Sequence, residues 1–337
     1  MKFSIIVPVY NVESYIEQCI HSLLAQKQVE TQIILVDDGS TDTSGVICDQ
    51  YAHKYKQIQV VHQDNRGLSE ARNAGIKQAT GDYILFVDSD DYIAKNALPN
   101  IEQEIVNDAY PDLIFLECKK VILDQESHIK SIPMQDGVTA SIRSLNHQHI
   151  LEYISNLPKY PASAWAKAIK RDLFLKHDLL FESGLLHEDL EWAVRLFLVV
   201  DSAGYCSTDY YFYRQNRTNS ISSGRSEQRA MDMLHTVEKW TNDLKNDHSS
   251  EEKRLIKSLM EYVFRFLLIN VHFLPRHKHS AYKQRVHACD AVLGTRNDLT
   301  SKFIRVSYKA FGINITGWLL QVYLKMRTLR YSINFSS

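Results

Sequence analysis

Four short apolar runs, rich in β-branched residues, alternate with longer stretches of helical periodicity in the first ninety residues. The runs are Phe3 to Val9, Gln32 to Asp37, Ile58 to His62 and Tyr83 to Val87; the helical stretches are 12–26, 42–55 and 68–79. This is a repeated β-α-β pattern. Segments such as IIV, IILV and YILFV are apolar at consecutive positions, so both faces of each strand must be covered. That requirement selects an α/β fold, a doubly wound, Rossmann-like and mostly parallel sheet with right-handed crossovers. Asn11, Ser40 or Thr41, and Ser69 stand where helix N-caps are expected. A further strand is expected at Asp112 to Glu117, a helix from Glu188, and one or two strands within Tyr205 to Tyr213. From about residue 225 the strand signals stop. Helical patterns follow at 226–246, 251–273, 280–293 and 299–328, which sets the expected domains at 1–222 and 223–337, with the boundary in Ser222-Ser223-Gly224.

Charge separates the same two parts. Residues 225–337 hold 19 Lys and Arg against 10 Asp and Glu, whereas residues 1–224 hold 20 against 30. The acidic part argues against nucleic acid and suits a cation site. Cys19, Cys48, Cys118, Cys206 and Cys289 are odd in number and never spaced as CxxC, which points to a reduced, cytoplasmic chain. The start, MKFSIIVPVYNVE, does not read as a signal peptide. The apolar stretches Tyr262 to Leu274 and Ile313 to Met326 are short for a membrane span and are interrupted by Arg265, Asn270, Gln321 and Lys325.

In an open parallel sheet ligands bind beyond the carboxyl ends of the strands. The runs end in Pro8-Val9-Tyr10-Asn11, in Asp37-Asp38-Gly39-Ser40-Thr41-Asp42 and in Asp88-Ser89-Asp90-Asp91, and Asn65-Arg66-Gly67 follows the third. Any one of these reads equally as a turn with a cap. Together they put several carboxylates on one edge, where like charges repel unless a cation or sugar hydroxyls compensate. Asp88-x-Asp90 leaves an apolar strand, so it is poorly explained as a solvated face. One or two carboxylates completed by substrate phosphates are a typical Mn2+ or Mg2+ site.

The ordered set FSIIVPVYN, VDDGSTD, NRGLSEARNAG, GDYILFVDSDD and HED closely resembles glycosyltransferase family 2, the inverting nucleotide-sugar enzymes of GT-A fold. The resemblance covers about residues 1–220. It implies transfer of a sugar, a hexose or N-acetylhexosamine, from a UDP-sugar to an acceptor hydroxyl with inversion. By motif position, the Pro8-Val9-Tyr10 backbone and Asp38 would hold the uracil end, and Asn11 would belong to the same nucleotide-sugar site. Asn65 and Arg72 would lie along the nucleotide, Asp88 would reach the ribose side and share the metal with Asp90, and Asp91 would support donor or metal. Asp189 would be the general base and Glu188 would orient the acceptor. Arg214 and Ser220 resemble a Y-R…S-I segment that touches the donor pyrophosphate. Trp165-x-Lys167 resembles a position near the acceptor pocket. The bland readings are a surface ion pair with Glu70 for Arg72, helix capping for Glu188-Asp189, and an edge-strand charge for Arg214.

The expected acceptor is a glycan, lipid-linked, of polysaccharide or glycoconjugate type. Residues 262–337 carry 12 Lys and Arg against Asp290 and Asp298, with aromatic residues interspersed. They read either as a basic face resting on an anionic membrane, with the protein peripheral on the inner face of the cell membrane, or as a helical subdomain with a solvated face. No nucleic-acid motif is found. Two other functions fit less well. A sugar nucleotidyltransferase would need a Gly-rich basic loop after the first strand, which PVYNVE lacks, and a degenerate scaffold would have lost a carboxylate of the set.

Overall fold

The computed structural model describes residues 1–123, 129–134, 136–215 and 227–334. The chain divides into two units, residues 1–153 with 161–220, and residues 154–160 with 221–337.

In the first unit the alternating pattern gives β1 (Lys2–Val9), α1 (Ile16–Leu24), β2 (Glu30–Asp37), α2 (Ser44–Lys54), β3 (Ile58–His62), α3 (Leu68–Gln78) and β4 (Tyr83–Phe86). These four strands are all parallel, in the order β3-β2-β1-β4, so their carboxyl ends share one edge. Ile5, Ile6, Ile33, Ile34, Leu35, Ile84 and Leu85 have no exposed surface, which is why each run had to be apolar on both faces. Helix α3 lies so close to β1 that a Cβ on Gly75 would stand 2.3 Å from Ile6 Cγ2.

The expected caps are corrected. Asn11 has φ of 50° and lies outside α1, whose N-cap is Tyr15. Its side chain instead accepts from the backbone N–H groups of Thr41 (2.8 Å) and Asp42 (3.3 Å), bridging two loops. Thr43 and Gly67 stand at the caps of α2 and α3, and Ser69 is buried one residue inside α3.

The sheet continues with β5 (Tyr92–Ile93), α4 (Ala97–Asn107), β6 (Leu113–Leu123), β7 (Ile129–Pro133), α5 (His147–Ser155), β8 (Lys167–Lys170), α6 (Arg171–His177), α7 (Glu188–Val199) and β9 (Ala203–Arg214). Beyond β4 the order is β8-β6-β9-β5 with β7 beside β6. This half is mixed: β8 is antiparallel to both β4 and β6, whereas β6 and β9 are parallel. Strand β8, KAIK, carries no apolar run long enough to read, yet it occupies the centre of the sheet.

The second unit contains α8 (Glu227–Asp243), α9 (Ser250–Asn270), α10 (His279–Ala288) and α11 (Leu299–Asn334). A capping box starts α9: Ser249 Oγ accepts from Glu252 N–H, and the Glu252 carboxylate accepts from Ser249 N–H. Leu255, Leu259, Val263 and Leu267 recur at helical spacing on its buried face, each burial contributing roughly 1.5–3 kcal/mol. The inserted strap 154–160 belongs here, because Ser258 Oγ donates to Ser155 O and Arg296 Nη2 to Leu157 O, each at 2.5 Å. Helix α11 breaks at Gly312, whose φ of 69° no ordinary helical residue adopts. Among the described residues no helix is long and apolar enough to cross a membrane.

Candidate active site at the carboxyl edge of the sheet

The end of β2 is organised by its own carboxylates. Asp37 Oδ2 pairs with His62 Nδ1 at 2.9 Å, and Oδ1 accepts from Ser40 N–H. Asp38 is 4% exposed and accepts from Gln63 Nε2 (2.7 Å) and from the N–H groups of Arg66 and Gly67 (both 2.8 Å). Three donors fix the 63–67 loop against β2. Its own N–H donates to Val9 O, while Pro8 pairs in register with Val36, so the β1 end is a rigid floor. Tyr10, 45% exposed, and Asn65 project at its rim.

Beyond β4, Asp88, Asp90 and Asp91 crowd into one turn. Asp91 is buried; its Oδ2 accepts from Tyr211 OH and its Oδ1 from Arg214 N–H, both at 2.7 Å. Burial, and then the charges of Asp90 and Asp88, push its carboxyl up to about 8 against those two donors. Tyr211 OH also accepts from Asp88 N–H at 3.1 Å, so one hydroxyl spans the turn, and Trp165 stacks on its ring at 4.5 Å. Arg214 donates through Nε to Asp90 O (2.9 Å) and through Nη2 to Gln18 (2.7 Å), with its guanidinium over Tyr15 and Tyr92. Its role in this geometry is to brace the carboxylate turn.

Helix α3 supplies the link to α7. Arg72, 3% exposed, donates through Nη2 to Asp88 Oδ1 at 3.0 Å and through Nη1 to Glu188, and lies over the rings of Phe86 and Phe181. Two carboxylates overcome the desolvation that opposes its charge and raise its pKa further. Next to it, Asn73 exchanges two hydrogen bonds with the Phe181 backbone, 2.8 and 2.9 Å long. Glu188 is buried, and burial pushes its carboxyl up while Arg72 opposes the rise. Asp189, half-buried, lies beside it in the first turn of α7, where the helix dipole favours an anion. Lys167, fully buried, donates to Pro161 O and Ser163 O; burial pushes its ammonium down to about 8, against the charges of Asp136 and Asp189.

The sequence-predicted residues thus fall into distinct places. Pro8, Val9, Tyr10, Asn11, Asp38 and Asn65 gather at the β1/β2 edge. Asp88, Asp90, Asp91 and Arg214 form the turn after β4, and Glu188-Asp189 joins that turn through Arg72. Arg72 does not project along an open groove: the guanidinium is buried beneath the carboxylates it bridges, which also corrects the surface pairing with Glu70. Glu70 bonds Ser183 instead. Ser220 lies outside the described residues. Reading the sequence missed Tyr211 and Gln63, whose only signal is a polar tip on an otherwise ordinary strand or loop residue. A separate cleft lined by Met1, Asp82, Tyr110 and Lys170 opens at the opposite, amino-terminal ends of β1 and β4 and contains none of the site residues.

The donor set suits a hard divalent cation. Three carboxylates stand within four residues, and burial, then the neighbouring charges of Asp90 and Asp88, push Asp91 up. Asp90, with Asp88, is the pair that would face such an ion; among the described residues no cluster of three or more ligands is preformed.

The family model for glycosyl transferase family 2 matches residues 4–145. The uncharacterized glycosyltransferase EpsJ of Bacillus subtilis is 35% identical over 223 residues, which is 65% of this chain and 62% of EpsJ. Glycosyltransferase GlyG of Streptococcus pneumoniae is 32% identical over 223 residues, 65% of this chain and 72% of GlyG. This chain therefore spans somewhat under two thirds of EpsJ and somewhat over two thirds of GlyG. In fold, residues 1–349 of Staphylococcus aureus TarS in complex with UDP-GlcNAc align with a TM-score of 0.70 at 23% identity, covering 96% of this chain and 92% of that one. With sequence relatives and GT-A architecture in agreement, the chain belongs to glycosyltransferase family 2.

Proposed function

We propose that the protein is an inverting glycosyltransferase that moves a hexose or N-acetylhexosamine from a UDP-sugar to a hydroxyl of a glycan acceptor carried on a lipid. The observation that carries the reading is the Asp88–Arg72–Glu188 bridge, which ties the carboxylate turn after β4 to the carboxylates opening α7. In this reading the bridge would keep a leaving-group end close to a proton-accepting end. That TarS binds UDP-GlcNAc supports a UDP-sugar as the donor.

In this reading the floor made by Pro8, Val9 and Asp38 receives the base, with Asp38 accepting from the uracil N3–H. Asp90 and Asp88 would hold Mn2+ or Mg2+, which when bound offsets the charge of the departing diphosphate. Asp189 accepts the proton of the attacking hydroxyl, and Glu188, fixed by Arg72, orients that hydroxyl. A single displacement needs no second carboxylate on the sugar. The reading is tested by Asp189→Asn: turnover should fall roughly 10²–10⁴-fold while UDP affinity stays within about twofold. Near-normal turnover would remove Asp189 from the mechanism.

A further inference from the structure

Helix α11 is amphipathic in an inverted sense. One face, with Ile304, Tyr308, Ile313 and Thr316, is buried within the helical unit. The other carries an apolar row in open solvent: Leu299 (85% exposed), Phe303, Val306 (68%) and Phe311 before the Gly312 break, then Ile315 and Trp318 (56%) after it. Leu299, Phe303 and Val306 at i, i+4, i+7, and Ile315 and Trp318 at i, i+3, keep each part of the row on one side of its own helix segment. Exposed Lys302 and Lys309 flank the first half. From residue 299 to 337 the sequence holds six basic residues and no Asp or Glu.

We infer that this face of α11 is a docking surface for an anionic lipid bilayer, lying flat at the headgroup level with its apolar row inserted and its lysines on lipid phosphates. Charge selects this occupant. A second copy of the same helix would set like charges against one another with no carboxylate on α11 to compensate, whereas an anionic headgroup layer complements the exposed Lys302 and Lys309. Lying flat is the geometry left to it, since α11 is not apolar enough to cross. The inference extends the lipid-linked acceptor reading but does not need it, because binding to vesicles is measured without donor or acceptor.

The protein contains its own reporter. Of its four tryptophans, Trp165, Trp192 and Trp240 are buried, which leaves Trp318 as the one facing solvent. The full chain is mixed with vesicles of phosphatidylglycerol and phosphatidylcholine, or of phosphatidylcholine alone, and read by co-sedimentation and tryptophan emission. Binding to the anionic vesicles only, weakened by salt and accompanied by a blue shift, is expected. Lys302→Gln with Lys309→Gln should lower the partition coefficient by about tenfold or more. Phe311→Ser with Trp318→Ser should abolish binding while the far-ultraviolet spectrum, and so the fold, is unchanged. No binding to anionic vesicles, or equal binding to both vesicle types, overturns the proposal. So does a doubled mass in light scattering that Trp318→Ser returns to that of one chain, because the row would then cover a second copy.

Discussion

Replacing Arg72 with Met keeps the side-chain length and removes the one cation buried between Asp88 and Glu188. Glu188 is 5% exposed, so in the variant a carboxylate remains in the interior with no counter-charge. Breaking a buried pair in this way costs about 3–5 kcal/mol. Loss of the contacts over Phe86 and Phe181 adds roughly 1 kcal/mol, which a methionine sulfur against the same rings largely restores. At about 2–4 °C per kcal/mol for a unit of this size, the melting temperature should fall by roughly 6–20 °C at pH 8. The loss depends on pH with a definite sign. Burial already raises Glu188 above the 4.5 of a free carboxyl, and Arg72 is the group that restrains it. Without Arg72 the folded value rises further. A carboxyl whose folded pKa is raised contributes stability below its unfolded value and loses it as pH climbs through the folded one. The deficit of Arg72→Met relative to the parent should therefore be greatest at pH 8 and shrink toward pH 5. Adding Glu188→Gln should recover most of it, since no naked charge then remains at that position. Denaturant melts of the parent and both variants between pH 5 and 8 measure this. A deficit below about 1 kcal/mol at pH 8, or one that neither pH nor Glu188→Gln relieves, would refute the bridge as described.

Two further expectations concern the neighbouring loops. Tyr211→Phe removes the hydroxyl shared by Asp91 and the Asp88 N–H, leaving buried polar groups unmatched; a loss of about 1–3 kcal/mol is expected in urea melts, together with weaker UDP binding. An unchanged melt would mean that the turn does not depend on that hydroxyl. His62 bonds Asp49 and Asp37, and those two bonds raise its pKa above 6.5. The resulting stabilisation should be complete below pH 6.5 and fade as pH rises through the higher folded value. His62 is half-exposed, so the effect is small, and it is read as a pH slope that His62→Gln abolishes. A slope that survives the substitution belongs to another group.

The parallel half of the sheet was legible because it must be apolar on both faces, and its short β-branched runs such as IIV and YILFV alternate with helical stretches. The positions of Asp38, Asp88, Asp90, Asp91 and Asp189 followed from those strands and from the motif order. What each side chain touches did not. Arg72 looks like any charged residue on a surface helix until α7, more than a hundred residues later, is packed over it. Asn11 has the right identity for a helix cap but takes a left-handed backbone and caps its neighbour's loop, a choice made by the β1–β2 pairing. Strand β8 hid because KAIK has two lysines, one of which, Lys167, is buried through bonds to Pro161 O and Ser163 O that no periodicity reveals. The helical unit was readable as helices, but the strap 154–160 joins it only through long-range bonds such as Arg296 to Leu157.

The most direct test of the site is calorimetric titration of the protein and its Asp90→Asn variant with UDP and a panel of UDP-sugars, with and without Mn2+. The account predicts metal-dependent binding of UDP, strengthened by one sugar, and loss of the metal dependence in Asp90→Asn. Binding that ignores both the metal and the substitution, or no binding of any UDP compound, would contradict it.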